Sequence, residues 1–322
     1  MEAGVEEDTT MRRGRWLLVA GAFLIAAALS GLAAHGRRTD KPAALRVDGR
    51  ERTYTYHVPS GYDGTHAVPL LLALHGRLGQ GSGEERLSHL DKVSDERGFL
   101  VVYPDGLDRS WADGRGGTPS DHKGVDDVKF LSKLIDQMEA EFKVDSSRIY
   151  ATGMSNGGFM SGRLACQLSN RIAAVAIVAA SLSERVAASC HPEAPVSVLV
   201  LQGTEDPLVP LAGGALGRNT AGGVVLSHDA TVAEFVKLDR CPSGATKEHI
   251  ADQAADGTTI DVAIYSGCAG GSEVRGYVVN GGGHAWPGGK QYFPASIIGK
   301  TSRNMDASQV IWEFFSTKRR IA

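Results

Sequence analysis

From Leu45 onward, apolar and polar positions fall into two alternating rhythms. Arg52-Thr53-Tyr54-Thr55-Tyr56-His57-Val58 alternates polar with aromatic or β-branched residues, and this period of two predicts an edge strand. Residues 69–74 and 99–103 are short unbroken apolar runs, which predicts strands buried on both faces. Pro104-Asp105-Gly106 stops the second run with a turn. Val125, Val128, Leu131, Ile135, Met138 and Phe142 recur at helical spacing and predict an amphipathic helix. Further on, the pattern predicts a strand at 148–151, a helix at 157–168, strands at 173–178 and 196–202, and a helix at 229–238. Strands at 259–266 and 273–279 follow, and a last helix at 306–317 sets Val310, Ile311, Phe314 and Phe315 on one face. Strands alternating with helices, with no internal repeat, predict one α/β domain: a mostly parallel sheet with helices on both faces.

The chain ahead of that domain reads differently. Met11-Arg12-Arg13-Gly14-Arg15 is basic, residues 16–29 are uncharged and apolar, and the small residues Ser30, Gly31, Ala33 and Ala34 follow. That layout predicts a secretory signal over residues 1–34, with Met11 as an alternative start because the acidic residues before it do not suit an export signal. The apolar run is also just long enough to be an uncleaved membrane anchor. Residues 35–44 read as a linker, and 45–322 as the catalytic domain.

Composition narrows the partners. A formal charge of −3, with Lys and Arg scattered, gives no electrostatic case for nucleic acid. Membrane contact is expected only if the N-terminal segment stays uncleaved. The four cysteines of an exported chain suggest pairs, and of three connectivities the shortest loops come from Cys166 with Cys190 and Cys241 with Cys268. Buried free thiols are the alternative. No CxxC or clustered histidine suggests a metal.

The strongest chemical signal is Gly153-Met154-Ser155-Asn156-Gly157-Gly158, set between a predicted strand and a predicted helix. Gly-x-Ser-x-Gly in that setting is a nucleophile elbow, a turn tight enough to require glycine on both sides of the serine. A serine hydroxyl needs a base, and in this arrangement the acid and then the histidine follow it along the chain. The strand at 196–202 runs into Gly203-Thr204-Glu205-Asp206-Pro207, which makes Asp206 the expected carboxylate and Glu205 its rival. Of the ten histidines, seven fall too early, and His228 and His249 sit in polar surroundings; His284, after Gly281-Gly282-Gly283, remains as the base. The oxyanion donors are expected to be the backbone N–H groups of Asn156 and of Arg77, the latter in the loop Leu74-His75-Gly76-Arg77. His75 is expected to pack beneath that loop, and Asp126 and Asp127 to cap the first long helix.

With these motifs in place, the chain resembles the polyhydroxybutyrate depolymerase and feruloyl esterase family of α/β-hydrolases. Besides the elbow, the resemblance rests on Leu74-His75-Gly76, Tyr103-Pro104-Asp105-Gly106, Val125-Asp126-Asp127-Val128, Gly203-Thr204-Glu205-Asp206-Pro207, Tyr265-Ser266-Gly267-Cys268 and residues 281–288. It covers roughly residues 45–315. It implies a secreted carboxylic ester hydrolase without a cofactor, acting on hydroxyacid esters or on phenolic and acetyl esters of plant cell walls. The family's triad falls on Ser155, Asp206 and His284, and the resemblance suggests that Trp111 and Trp286 line the acyl or aryl pocket. Arg77 departs from the family, which more often has a small or uncharged residue there. An acetyl ester esterase or envelope acyltransferase on the same fold is the rival reading. A peptidase fits less well, because no propeller or lid-sized segment is apparent.

Overall fold

The computed structural model describes Met1, residues 41–217 and residues 220–320; the expected signal or anchor lies outside the described residues. The elements begin with β1 (Lys41–Val47), β2 (Arg50–His57), β3 (Val68–Leu74), α1 (Gly81–Ser88), α2 (Leu90–Arg97), β4 (Leu100–Pro104), α3 (Pro119–His122) and α4 (Asp127–Glu141). They continue with β5 (Val144–Met154), α5 (Asn156–Gln167), β6 (Ala174–Val178), α6 (Glu184–Ala187), β7 (Ser197–Gly203), β8 (Gly214–Ala215) and β9 (Val224–Val225). The last are α7 (His228–Leu238), β10 (Thr246–Ile250), β11 (Thr259–Tyr265), β12 (Val274–Asn280), α8 (Ala295–Ile298) and α9 (Ala307–Ser316).

Ten strands form one sheet in the order β1-β2-β4-β3-β5-β6-β7-β12-β11-β10. The pairs from β4 through β12 are parallel, and antiparallel strands flank them at both edges. The unbroken apolar runs now have their reason. Leu70, Leu72 and Leu74 of β3 enter a core with Phe130 and Leu134 of α4 and Phe159 and Leu164 of α5. Leu71 and Ala73 point the other way, into a core with Leu90 and Val93 of α2 and Ile311, Phe314 and Phe315 of α9. Each fully buried leucine contributes about 1.5–3 kcal/mol relative to exposure. Helix α9 is fastened by rings: Trp312 stacks on Phe99 at 3.8 Å between centroids and Phe315 on Tyr150 at 4.9 Å.

β1 corrects one boundary. The stretch 35–44 reads as a linker, yet Lys41–Val47 pairs with β2 from Lys41↔Tyr56 to Val47↔Arg50. An outermost strand is held by backbone bonds on one side and needs little apolar pattern, and Pro42 is tolerated at such an edge. The cysteines pair as the short loops suggest, Cys166 with Cys190 and Cys241 with Cys268. Thr39–Ala322 is a compact unit by itself, containing both cores and both disulfides. β4 lies on one side of β3 and β5 on the other, so strand order reverses there. In an open parallel sheet that reversal opens a crevice at the carboxyl ends of the strands.

Candidate active site

Strand β5 ends at Met154 and α5 starts at Asn156, so Ser155 alone makes the turn, at φ 57° and ψ −117°. Such a conformation costs a non-glycine residue about 1–3 kcal/mol and persists only where its surroundings impose it. Here the Ser155 N–H donates to Val178 O at 2.9 Å, and Ser155 O accepts from the Phe159 N–H at 2.9 Å. A Cβ at Gly157 would lie 1.9 Å from Leu74 O, and one at Gly153 would lie 2.4 Å from the same atom. The two glycines therefore let the elbow seat against the end of β3. Ser155 is partly exposed, and the first amides of α5 follow it, favouring negative charge nearby.

The expected base and acid meet. Beyond β12 the chain passes through Gly281-Gly282-Gly283, and a Cβ at Gly283 would lie 2.1 Å from Ile298 O. His284 is buried, with its N–H donating to Ile298 O at 2.6 Å and its Nδ1 2.7 Å from Asp206 Oδ2. Asp206 follows β7 and is also buried, and its Oδ1 accepts the N–H groups of Leu208 (2.8 Å) and Val209 (2.9 Å). The carboxylate is thereby fixed against rotation and leaves Oδ2 for the ring. The rival Glu205 is exposed.

The loop after β3 closes on the elbow: a Cβ at Gly76 would lie 3.6 Å from Ser155 Cβ. Arg77 is exposed, and its neighbours fold the loop back through Leu78 N–H to Arg109 O (2.8 Å) and Gly79 N–H to Gly76 O (3.0 Å). His75 lies beneath. Its Nε2 accepts the Gly106 N–H at 2.9 Å, so the ring proton belongs on Nδ1, donated to Gly76 O at 2.7 Å. Burial holds its pKa below the ordinary histidine value, as suits a neutral structural ring. The Asn156 side chain accepts the Trp111 N–H (2.7 Å) and donates to Trp111 O (3.1 Å) and Asp113 Oδ2 (2.6 Å). Its backbone N–H, in the first turn of α5, is among those without a partner inside the helix.

Trp111 and Trp286 are placed differently from the expectation. Both are 0% exposed, and their indole N–H groups are spent internally, Trp111 on His75 O (2.9 Å) and Trp286 on Ser308 Oγ (3.0 Å). They support the site from beneath and offer no surface to a substrate. Of the two helix-start acids, Asp126 caps α4 through the Lys129 N–H (2.9 Å). Asp127 instead makes a buried ion pair with Arg52 (2.6 Å) and accepts the Ala112 N–H (2.7 Å). Two buried carboxyls have no signal in the pattern. Asp113 lies 3.0 Å from Arg115 Nε, whose N–H is not aligned for a hydrogen bond, and burial pushes its carboxyl up to about 7. Glu84 in α1 has an Oε1 without a hydrogen bond, and burial pushes it up to about 8. Among the described residues, no group of three or more His, Cys, Asp or Glu could hold a metal ion.

Comparison with known proteins finds esterases. The chain is similar to feruloyl esterase B of Piromyces equi, 32% identical over 240 residues that span 72% of this chain and 42% of the relative. It is also similar to NocK of Nocardia uniformis subsp. tsuyamanensis (29% identity, 83% of this chain and 80% of the relative) and feruloyl esterase D of Neurospora crassa (26%, 87% and 86%). Among solved structures, an acetyl xylan esterase from Aspergillus awamori superposes with a TM-score of 0.56 at 14% identity, covering 86% of this chain and 99% of that one. A thermostable esterase does so with a TM-score of 0.58 at 15% identity, covering 87% and 63%. The sheet is that of the α/β-hydrolase fold. Residues 52–210, which include the elbow and Asp206, match the family model described as esterase PHB depolymerase, so that stretch carries the domain of this esterase family, and the relatives it resembles are named esterases.

Proposed function

We propose that the protein is an exported serine esterase working through a covalent acyl-enzyme, with Ser155 as nucleophile, His284 as base and Asp206 as the residue that orients the base. The observation that carries this reading is the buried 2.7 Å contact between His284 Nδ1 and Asp206 Oδ2. A carboxylate there keeps the proton on Nδ1 and the lone pair on Nε2, the form that can take the Ser155 proton. Ser155 Oγ then attacks the ester carbonyl, and the backbone N–H groups of Asn156 and Arg77 receive the negative charge on its oxygen. The imidazolium gives its proton to the leaving alcohol. Water, deprotonated by the same ring, releases the acid and restores Ser155.

The family model's description supports esters of hydroxyacids, and the names of the relatives support phenolic and acetyl esters of plant cell walls, as substrates. The two disulfides support an oxidising destination, in line with the secretory layout of residues 1–34. The test is hydrolysis of short p-nitrophenyl esters with and without a serine-directed phosphonate. Activity abolished by the phosphonate and by Ser155→Ala supports the reading; activity that survives both defeats it. A panel of methyl ferulate, acetylated xylan oligomers and hydroxybutyrate oligomers then ranks the substrates.

A further inference from the structure

Apart from the terminal Met1, the large apolar side chains exposed among the described residues number five: Leu78 (67%), Leu208 (51%), Tyr292 (39%), Phe293 (55%) and Ile297 (55%). They are not scattered. Leu78 is in the loop after β3, Leu208 in the loop after β7, Tyr292 and Phe293 in the loop after β12, and Ile297 in the short helix α8 that this loop leads into. These strands are parallel, so the three loops leave the same end of the sheet. Each is tied to the site. The Leu78 loop seats Gly76 on Ser155, the Leu208 N–H holds Asp206 Oδ1, the Tyr292 hydroxyl donates to His284 O at 3.0 Å, and Ile298 O receives the His284 N–H. Monomeric proteins keep large apolar side chains apart at the surface, and a cluster of them marks a place where something docks.

Two observations say what docks. Four of the five side chains keep half or more of their surface exposed, so they stand outward and do not wall a pocket closed around one small group. The exposed cations Arg77 and Lys290 border them on the same loops, against Glu205 as an exposed carboxylate, and Arg109, in the turn after β4 whose carbonyl accepts the Leu78 N–H, adds a third cation beside the exposed Asp108. Outward apolar side chains with more cations than carboxylates beside them suit an interface that is oily inside and negative at its surface.

We propose that this rim docks the site onto an anionic lipid surface, so that the enzyme cleaves acyl esters presented by an aggregate. The proposal rests on the serine esterase reading for its chemistry, though not for the docking itself. The test uses residues 39–322, which carry both cores and lack the apolar N-terminal run. Wild type is compared with Leu78→Ser/Phe293→Ser/Ile297→Ser on vesicles of equal parts phosphatidylcholine and phosphatidylglycerol. Sedimentation reads docking, a long-chain p-nitrophenyl ester in the vesicles reads interfacial hydrolysis, and p-nitrophenyl acetate in solution reads the chemistry. The triple variant is expected to bind the vesicles and cleave the embedded ester at least about tenfold less well, with acetate hydrolysis unchanged. Lys290→Gln and added salt should weaken vesicle binding in the wild type, while vesicles of phosphatidylcholine alone should bind it poorly. Equal sedimentation of wild type and triple variant overturns the docking surface, as does an equal loss on dissolved acetate, which marks a pocket for single molecules. If wild type binds through the rim but cleaves neither ester, the docking stands and the esterase reading falls.

Discussion

At the scale of single residues, the carboxylate beside His284 is the assignment most open to direct test. Asp206→Asn keeps the shape but removes the charge that stabilises the imidazolium, and its amide can donate where the carboxylate only accepted. In a well-studied protease triad this change costs about 10⁴ in kcat, and a loss of that order is expected on a short ester, with circular dichroism unchanged. Glu205→Gln should leave kcat nearly intact, because Glu205 is exposed whereas Asp206 is buried against the ring. The reverse outcome would remove Asp206 from the proposed triad. Glu84 has a different consequence. Burial raises its pKa from 4.5 to about 8, so across that window the folded chain holds a proton the unfolded chain has lost. Stability therefore falls as pH rises through the window and levels off above it, the opposite of a salt-bridged carboxylate. Melting temperature measured against pH should show that decline in wild type, and Glu84→Gln should make it shallower, most clearly above pH 7, where Asp113, pushed up to about 7, no longer adds to it. Neither the burial of Glu84 nor that of Asp113 was legible in the sequence, since a carboxylate in a short polar stretch reads as solvated until the packing around it is known.

Elements differ in how plainly they announce themselves. β3, β4, β6 and β7 lie in the middle of the sheet with both faces covered, which forces unbroken apolar runs such as Leu70 to Leu74. α4 and α9 show helical spacing because one face of each meets a core. β10 (TKEHI) is almost wholly exposed and hangs from β11 by backbone bonds, so its side chains carry no pattern. α1 (GSGEERLS) has two glycines and few apolar residues, and it is helical because it packs beside β3 and β4. The elbow was legible because its demand is steric: the glycines are written into the sequence by the contact they permit. That demand makes a prediction at this scale. Gly157→Ala would place a methyl group 1.9 Å from Leu74 O, a backbone atom of a central strand that cannot swing aside. It should abolish ester hydrolysis and lower the melting temperature together. Gly83→Ala, in a helix where a Cβ meets nothing within 4 Å, should do neither.

For the molecule as a whole, the two disulfides sit away from the chemistry and fasten the parts of the chain that the sheet holds least. Cys166–Cys190 joins the far end of α5 to the segment beyond α6, so the helix that begins at the elbow is tied at its other end. Cys241–Cys268 joins the turn after α7 to the loop between β11 and β12, at the antiparallel edge. They separate their cysteines by 24 and 27 residues. Closing a loop of that size removes unfolded-chain entropy equivalent to about 3.5 kcal/mol on the loop-closure model. Cys241→Ser/Cys268→Ser should therefore lower unfolding free energy in urea by roughly that amount, less any structure the opened loop regains. Its kcat on a short soluble ester should stay unchanged, because none of Ser155, Asp206 or His284 lies within the closed loop. The same pair replaced in a chain already lacking Cys166–Cys190 should cost a similar further increment, since the two loops are separate in sequence and share no residue. Peptide mapping under non-reducing conditions supplies the check on the premise: bridged peptides at both positions are expected. Free thiols at Cys241 and Cys268 together with an unchanged urea midpoint in the double variant would show that the edge of the sheet needs no covalent tie.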